Sequence, residues 1–91
     1  MPNRASAKVV IKNRLGLHAR PAMAFVDIAV ACAASVRVRK GDDEVDGKSI
    51  MQMMMLAATK GTELEIVAEG DDAEQTIAKL VKLVEQGFGE G

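Results

Sequence analysis

The side chain best suited to chemistry is His18, the only histidine among 91 residues. Gly16 precedes it in a loop, and Arg20 follows it at the expected start of a helix. The first N–H groups of a helix lack intrahelical partners, and the helix dipole adds partial positive charge there. Such an end binds anions, phosphoryl groups above all. The guanidinium of Arg20 adds a permanently charged donor that suits phosphate oxygens.

The spacing around His18 leaves two interpretations open. The histidine either accepts a phosphoryl group or is a helix cap or surface residue, which is the commoner role of a lone histidine at a helix start. Gly16 lets the backbone bend close to the ring, and Ala19 leaves the approach to it open. A metal site is not expected, because one histidine and the single Cys32 provide too few ligands. We also expect no bound cofactor.

A second candidate site is Ser49, at the expected start of another helix. Ser49 and Gln52 have the spacing of a capping box, in which a serine hydroxyl and a glutamine side chain satisfy free N–H groups. Capping alone is a sufficient role for this serine.

The helix after Ser49 is more apolar than one buried face requires. We expect Met53 and Leu56 in the core, which leaves Ile50, Met51 and Met54 on an exposed face near the helix start. Flexible methionine suits a surface that meets several proteins. An exposed apolar face beside a reactive group favours a transient protein partner over a free metabolite.

The elements that position these residues follow from short apolar patterns and their breaks. Strands are predicted where β-branched residues cluster or apolar and polar residues alternate: Ala7 to Lys12, Ser35 to Lys40, Glu44 to Asp46 and Glu63 to Glu69. Helices are predicted from Pro21 to about Ala34, from Ser49 to a point before Gly61, and from Asp71 or Asp72 to Gly87. The segment after Gly87 is expected to fray.

The order β-α-β-β-α-β-α predicts an α+β fold. Two strands have a polar outer face, which favours an antiparallel sheet with helices on one side and water on the other. No linker or repeat divides the chain, so residues 1–91 are expected to form one domain.

Composition argues against several classes of function. Twelve basic and thirteen acidic residues give a net charge of −1, so charge offers no case for nucleic acid or an anionic membrane. The absence of tyrosine and tryptophan removes base-stacking side chains. No signal-like apolar run stands at the start, and the longest apolar stretch, residues 22–34, is broken by Asp27 and too short for a bilayer. We expect a cytoplasmic protein.

Two motifs resemble those of one family. The sequence at Leu17–Pro21 resembles the active-site motif of HPr, the histidine-containing phosphocarrier of the bacterial phosphotransferase system. The sequence at Lys48–Met51 resembles the regulatory serine motif of the same family. The resemblance covers a core of about residues 5 to 88, at the family's spacing. It implies an open-faced β-sandwich with a four-stranded antiparallel sheet, order 1-4-2-3, and three helices on one face.

The resemblance also implies roles for the residues singled out above. The protein would be a carrier and not an enzyme: His18 accepts a phosphoryl group on Nδ1 from enzyme I, which phosphoenolpyruvate charges, and passes it to an EIIA domain in sugar transport. Arg20 supports the phosphate. The positions that match the family's docking patch are Ala19, Ile50, Met51 and Met54. A small carrier that must expose its site is expected to be a monomer.

Regulation is the second implication of the resemblance. Ser49 matches the serine that HPr kinase/phosphorylase modifies, and phosphate there adds about two negative charges where the helix dipole tolerates them. Asp27 departs from the basic or neutral polar residue of many sugar-system members. The methionine-rich segment also looks like that of nitrogen-related regulatory members, so both branches stay open.

Three hypotheses therefore remain from the sequence. The leading one is a phosphocarrier between proteins. The second is a regulatory binding protein whose association with a transcription factor or enzyme depends on Ser49 phosphorylation. The third is a small interaction module in which His18 is a cap.

Overall fold

A computed structural model describes residues 3–90, so residues 1, 2 and 91 of the expected domain lie outside the described part. The strands are β1 (Arg4–Val10), β2 (Ser35–Lys40), β3 (Asp43–Asp46) and β4 (Glu63–Glu69). The helices are α1 (Ala19–Val30), α2 (Ile50–Met55) and α3 (Ala73–Glu85), followed by a 3-10 turn at Gly87–Gly89.

The four strands form one antiparallel sheet in the order β1-β4-β2-β3. In β2, Val36 and Val38 are buried while Arg37 and Arg39 are exposed. This alternation gives the sheet one apolar face for the helices and one charged face for water. The α+β fold class and the 1-4-2-3 order are thereby confirmed.

The core between sheet and helices is almost entirely aliphatic. Phe25 of α1 is its one fully buried aromatic side chain within residues 3–90. It packs among β-branched and leucine side chains from all layers, with Ile66 and Leu80 completely buried. Close packing of this core fixes how α1 and α2 lie on the sheet.

Helix α1 ends at Val30, whereas the alanine-rich sequence predicted an end near Ala34. The carboxylate of Asp72 accepts hydrogen bonds from the N–H groups of Ala33 (2.9 Å) and Ala34 (2.7 Å), which hold this segment as a loop. These two N–H groups lower the pKa of the Asp72 carboxyl below its ordinary value. Asp72 is the N-cap residue of α3, as predicted, but its side chain caps none of that helix's own N–H groups.

The start of β1 also differs from the prediction. Strand β1 begins at Arg4 because Arg4 pairs with Glu69 of β4, while the prediction started at Ala7. Helix α2 ends at Met55, before Gly61 as predicted, and the chain turns at Ala57, where φ is 48°. The expected fraying after Gly87 is wrong for the described residues, because Phe88 packs against the core.

Candidate functional site

His18 occupies the N-cap position of α1 with an extended backbone (φ −84°, ψ −169°). Its carbonyl accepts the first helical hydrogen bond, from the Ala22 N–H at 3.0 Å, but its side chain caps no N–H of the helix. The N–H groups of Ala19 and Arg20 have no partner among residues 3–90. Pro21 in the first turn has no N–H. Two backbone donors beside His18 are therefore free.

The loop before α1 is fastened to the chain segment after α2. The Leu17 N–H donates to the Ala58 carbonyl at 2.8 Å. Gly16 has a φ of +72°, and a Cβ on it would lie 2.5 Å from the Ala58 oxygen, so no other residue fits without a shift of backbone. Buried Asn13 donates from Nδ2 to the Gly16 carbonyl at 2.6 Å. These contacts fix the approach of the chain to His18.

The imidazole of His18 contacts Glu90. Nε2 lies 2.9 Å from Oε1 and 3.1 Å from Oε2 of that carboxylate, and the His18 side chain stays 37% exposed. The hydrogen bond from His18 lowers the pKa of Glu90, with smaller contributions from Asn13 and from the charges of His18 and Arg20, against the opposing effect of burial. An ionised carboxylate only accepts hydrogen bonds, so a hydrogen bond between these two groups requires a proton on Nε2. Nδ1 has no hydrogen-bond partner within the described chain.

Arg20 is exposed and forms no ion pair with any residue from 3 to 90. It lines a surface depression of about 750 Å³ together with His18, Asp27 and Glu90. An arginine without a carboxylate partner is free to bind an oxyanion at the mouth of this depression.

The structure places Ser49 at the N-cap of α2, as predicted. Its hydroxyl accepts a hydrogen bond from the Gln52 N–H at 3.2 Å. The second half of the predicted capping box is absent, because Gln52 Oε1 accepts from the Asp46 N–H at 2.9 Å. Ser49 is half-buried.

Comparison with known proteins assigns the chain. Residues 5–86 match the family model PTS-HPr, described as the phosphorylation site of the HPr component of the phosphotransferase system. The chain belongs to the HPr family. Its role is that of a phosphocarrier of the phosphotransferase system.

Individual HPr proteins are similar over nearly their whole length. The chain is 46% identical over 85 residues to the phosphocarrier protein HPr of Pseudomonas aeruginosa, covering 92% of this chain and 94% of that protein. It is 38% identical over 84 residues to the phosphocarrier protein NPr of Proteus mirabilis, covering 91% and 93%. A crystal structure of HPr from Thermoanaerobacter tengcongensis matches with a TM-score of 0.92 and 42% identity, over 96% of this chain and 98% of that one.

The apolar residues of α2 and the residue after it are buried or exposed as expected in this HPr-family chain. Met53 and Leu56 are buried, while Ile50 (37% exposed), Met51 (79%) and Met54 (43%) face outward. Ala19 is also exposed. Met55 is 77% exposed, although the sequence assigned it no role.

Four residues near the histidine of this HPr-family chain were missed by sequence reasoning: Leu15, Met23, Asn13 and Glu90. Leu15 and Met23 are exposed side chains that line the depression beside His18. Leu15 could have been found from the sequence, because it is a large apolar residue in a loop next to a candidate site. For Glu90 the signal was Phe88, one of only two aromatic residues in the chain, which anchors the segment after α3.

Within residues 3–90, none of the helices has both the length and the apolar character needed to cross a membrane.

Proposed function

We propose that His18 is the residue that carries the phosphoryl group, bound through Nδ1. The observation that carries this proposal is the pairing of a half-exposed imidazole, whose Nδ1 is free, with the unpaired N–H groups at the start of α1. A nucleophile and the donors for its phosphoryl oxygens then lie side by side.

We propose phosphorylated enzyme I as the donor and an EIIA-type protein as the acceptor. The lone pair of Nδ1 forms the new bond to phosphorus while the bond from phosphorus to the donor histidine breaks and its electron pair returns to the donor nitrogen. Little covalent chemistry is left for the protein, so positioning and charge stabilisation dominate. The guanidinium of Arg20 and the N–H groups of Ala19 and Arg20 supply that stabilisation.

Phosphorylation with labelled phosphoenolpyruvate and enzyme I tests this role. Wild-type protein is expected to acquire acid-labile label, and His18→Ala is expected to acquire none. Because His18 is the only histidine, label on the variant would contradict the assignment directly. Circular dichroism checks that the variant folds, and Arg14→Ala, an exposed change in the same loop, is the control for altered charge.

We propose that Ala19, Ile50, Met51 and Met54 dock the partners, with Leu15 and Met23 completing the surface around His18. All are exposed, and a contiguous exposed apolar patch on a small domain is typical of a surface that binds another protein. Met51→Gln is expected to raise the KM for enzyme I about fivefold.

Met55→Gln is the matched control for the docking surface. Met55 is the same residue type on the same helix, and its exposure of 77% is close to the 79% of Met51. Equal effects of the two substitutions would contradict the docking surface as defined.

A second proposed function is regulation through Ser49 by HPr kinase/phosphorylase, which would control association with a regulatory protein. Its support is the position of the hydroxyl at a helix start, where added negative charge is tolerated. Acid-stable label from the kinase is expected on wild type and absent on Ser49→Ala, with Ser6→Ala as control. Label that persists on Ser49→Ala would exclude this serine as the target.

We propose sugar-transport partners, since the identity to HPr of P. aeruginosa is 46% and that to NPr of P. mirabilis is 38%. Faster phosphorylation by the enzyme I of a nitrogen-related branch would reverse this choice and would make Asp27 a candidate for partner selection.

We further propose a cytoplasmic monomer in which residues 1–91 act as one domain. A dimeric mass in light scattering would contradict the monomer.

A further inference from the structure

The contact between Glu90 and His18 is built from several parts of the chain. Glu90 Oε1 lies 2.9 Å from His18 Nε2 and also accepts a hydrogen bond from Asn13 Nδ2 at 2.9 Å. Phe88, two residues earlier, packs against the core and brings the segment back to the start of α1. The carboxylate thus contacts two side chains, and Phe88 anchors the segment that bears it.

The hydrogen bonds of Asn13 indicate that its side-chain N–H groups are needed to order the surroundings of His18. The side chain is completely buried, and its Oδ1 has no hydrogen-bond partner in the described part of the chain. A buried, unsatisfied oxygen is unfavourable, and an apolar residue would avoid it. The amide nitrogen contacts only the Gly16 carbonyl and Glu90, so both of its contacts serve the surroundings of His18.

We propose that Glu90 is a positioning residue for phosphoryl transfer. It holds His18 in the tautomer with the proton on Nε2, so that Nδ1 presents its lone pair to the incoming phosphorus. This inference rests on the proposed function of His18 as the phosphoryl acceptor.

The tautomer argument follows from what each group is able to donate. A neutral imidazole has one N–H, and a carboxylate has none. When Glu90 accepts a hydrogen bond from Nε2, the proton is withheld from Nδ1. The alternative tautomer, with its proton on Nδ1, has no lone pair there and cannot attack phosphorus.

Glu90 has a second effect once the phosphoryl group has moved. Nδ1 gains a bond to phosphorus while Nε2 keeps its proton, so the ring becomes a cation beside the carboxylate. No proton has to leave or enter during the step. When the phosphoryl group passes on, the electron pair of the breaking bond returns to Nδ1 and the starting tautomer is restored.

Glu90 does not engage Arg20, the side chain proposed to donate hydrogen bonds to the phosphoryl oxygens. No ion pair joins it to Arg20 in the part of the chain that the structure describes. The carboxylate lies at the Nε2 edge of the ring, whereas Nδ1 stands at the opposite side of the ring carbon that separates the two nitrogens. The phosphoryl group and Glu90 therefore act on different atoms of the imidazole.

The experiment is long-range nitrogen–proton NMR of unphosphorylated protein labelled with ¹⁵N-histidine, recorded over a series of pH values up to mildly alkaline conditions. One histidine gives one pair of ring nitrogens, so assignment is unambiguous. The variants are Glu90→Ala and Glu90→Gln, and the matched control is Glu85→Gln, an exposed glutamate whose side chain forms no ion pair within residues 3–90. The substitution Glu90→Gln keeps the length of the side chain but introduces an amide N–H that is able to donate to Nε2.

Wild type and Glu85→Gln are expected to show a protonated Nε2 and an unprotonated Nδ1. Both Glu90 variants are expected to show a measurable second tautomer, more of it in Glu90→Gln, and an about fivefold slower transfer from enzyme I with little change in KM. In a second, uniformly ¹⁵N-labelled sample of each variant, the backbone amide shift of Phe88 reports whether the segment stays docked. Ring nitrogen shifts that are the same in wild type and both Glu90 variants would overturn the proposal.

The same samples separate this inference from the proposed function. Wild type that takes no label from enzyme I contradicts the role of His18, whatever the ring nitrogens show. Wild type that takes label, with a tautomer independent of Glu90, contradicts only the role of Glu90.

Discussion

The starts of α1 and α2 look alike in the backbone but differ in what satisfies their free N–H groups. At α2 the N-cap residue, Ser49, accepts a hydrogen bond from the Gln52 N–H at 3.2 Å. At α1 the side chain of the N-cap residue, His18, accepts no hydrogen bond from an N–H group of the helix. The position equivalent to Gln52 is Pro21, which has no N–H. The capped start is stabilised from within the helix, whereas the uncapped start keeps two donors for a group from outside.

The start of α3 shows a third use of an N-cap side chain. Asp72 directs its carboxylate to Ala33 and Ala34, in the loop between α1 and β2, and not to its own helix. An N-cap residue type alone therefore does not tell whether a side chain stabilises its helix, joins distant segments or leaves a site open. The surrounding residues decide which of these roles the side chain has. Four substitutions test this comparison of the three helix starts.

The largest effect is expected from Gly16→Ala, which disrupts the entry to α1. Its Cβ would lie 2.5 Å from the Ala58 oxygen at a φ of +72°. We expect a loss of about 2–5 kcal/mol in the free energy of unfolding, measured by urea denaturation, together with slower phosphorylation.

Gly41→Ala is the control for backbone conformation alone. Gly41 has a φ of +58° with nothing within 4 Å of an added Cβ, so we expect a loss of only about 1–2 kcal/mol. Equal losses at the two glycines would show that contact with Ala58 does not shape the site.

The second effect tests what the uncapped start of α1 binds. Arg20→Ala is expected to slow phosphoryl transfer from enzyme I by about 10- to 100-fold, because a donor to the moving phosphoryl group is lost. Arg20→Lys keeps the charge without the planar fork and should recover part of the rate. Stopped-flow kinetics measures both, and an unchanged rate in Arg20→Ala would remove Arg20 from the mechanism.

The third effect is expected from a substitution that leaves the start of α2 uncapped, like that of α1. Ser49→Ala removes the cap and is expected to cost about 1 kcal/mol in the free energy of unfolding, while Ser49→Asp retains an acceptor and most of the stability. Phosphorylation of His18 should stay within about twofold, since the two helix starts are separate sites. A tenfold fall would mean that the cap of α2 also supports His18.

The smallest effect concerns the start of α3 and depends on pH. The pKa of Asp72 is lowered in the folded protein, so its stabilising contribution is present above the ordinary value of about 3.9 and is lost as the pH falls through the folded-state pKa. Asp72→Asn should therefore lower the urea midpoint at neutral pH and differ less from wild type in acid. Asp71→Asn is the control, and an equal deficit at both pH values would contradict the argument.

The sequence predicted the parts of the fold that depend on local pattern. Alternation of apolar and polar residues located β2 and β4 at their observed bounds, and the spacing of Ser49 and Gln52 located the start of α2. The end of α1 was missed because alanine favours helix everywhere, and distant side chains, Asp72 and Lys48, hold the residues after Val30 as a loop. Tertiary contacts of this kind leave no local signal.

The candidate site divides in the same way. His18, Arg20 and Gly16 were found because they are neighbours in sequence. The family resemblance then indicated a role in phosphoryl transfer for them. Glu90 contacts the ring from a position 72 residues after it, and Asn13, five residues before the ring, contacts Glu90. Phe88, two residues before Glu90, packs against the core. A chain segment expected to fray became part of the site because one aromatic side chain anchors it.

The fastening of the loop before α1 to Ala58 has a consequence for the speed of a relay. The segment that bears His18 and the segment that follows α2 are joined by the hydrogen bond from Leu17 and by the close packing of Gly16. A surface that is already ordered loses little conformational entropy on association, so encounters require no folding step. We expect each partner to be met by the same rigid face and released quickly, with short residence times set by a modest contact area. We therefore expect diffusion and dissociation, and not rearrangement of the carrier, to limit turnover between successive partners.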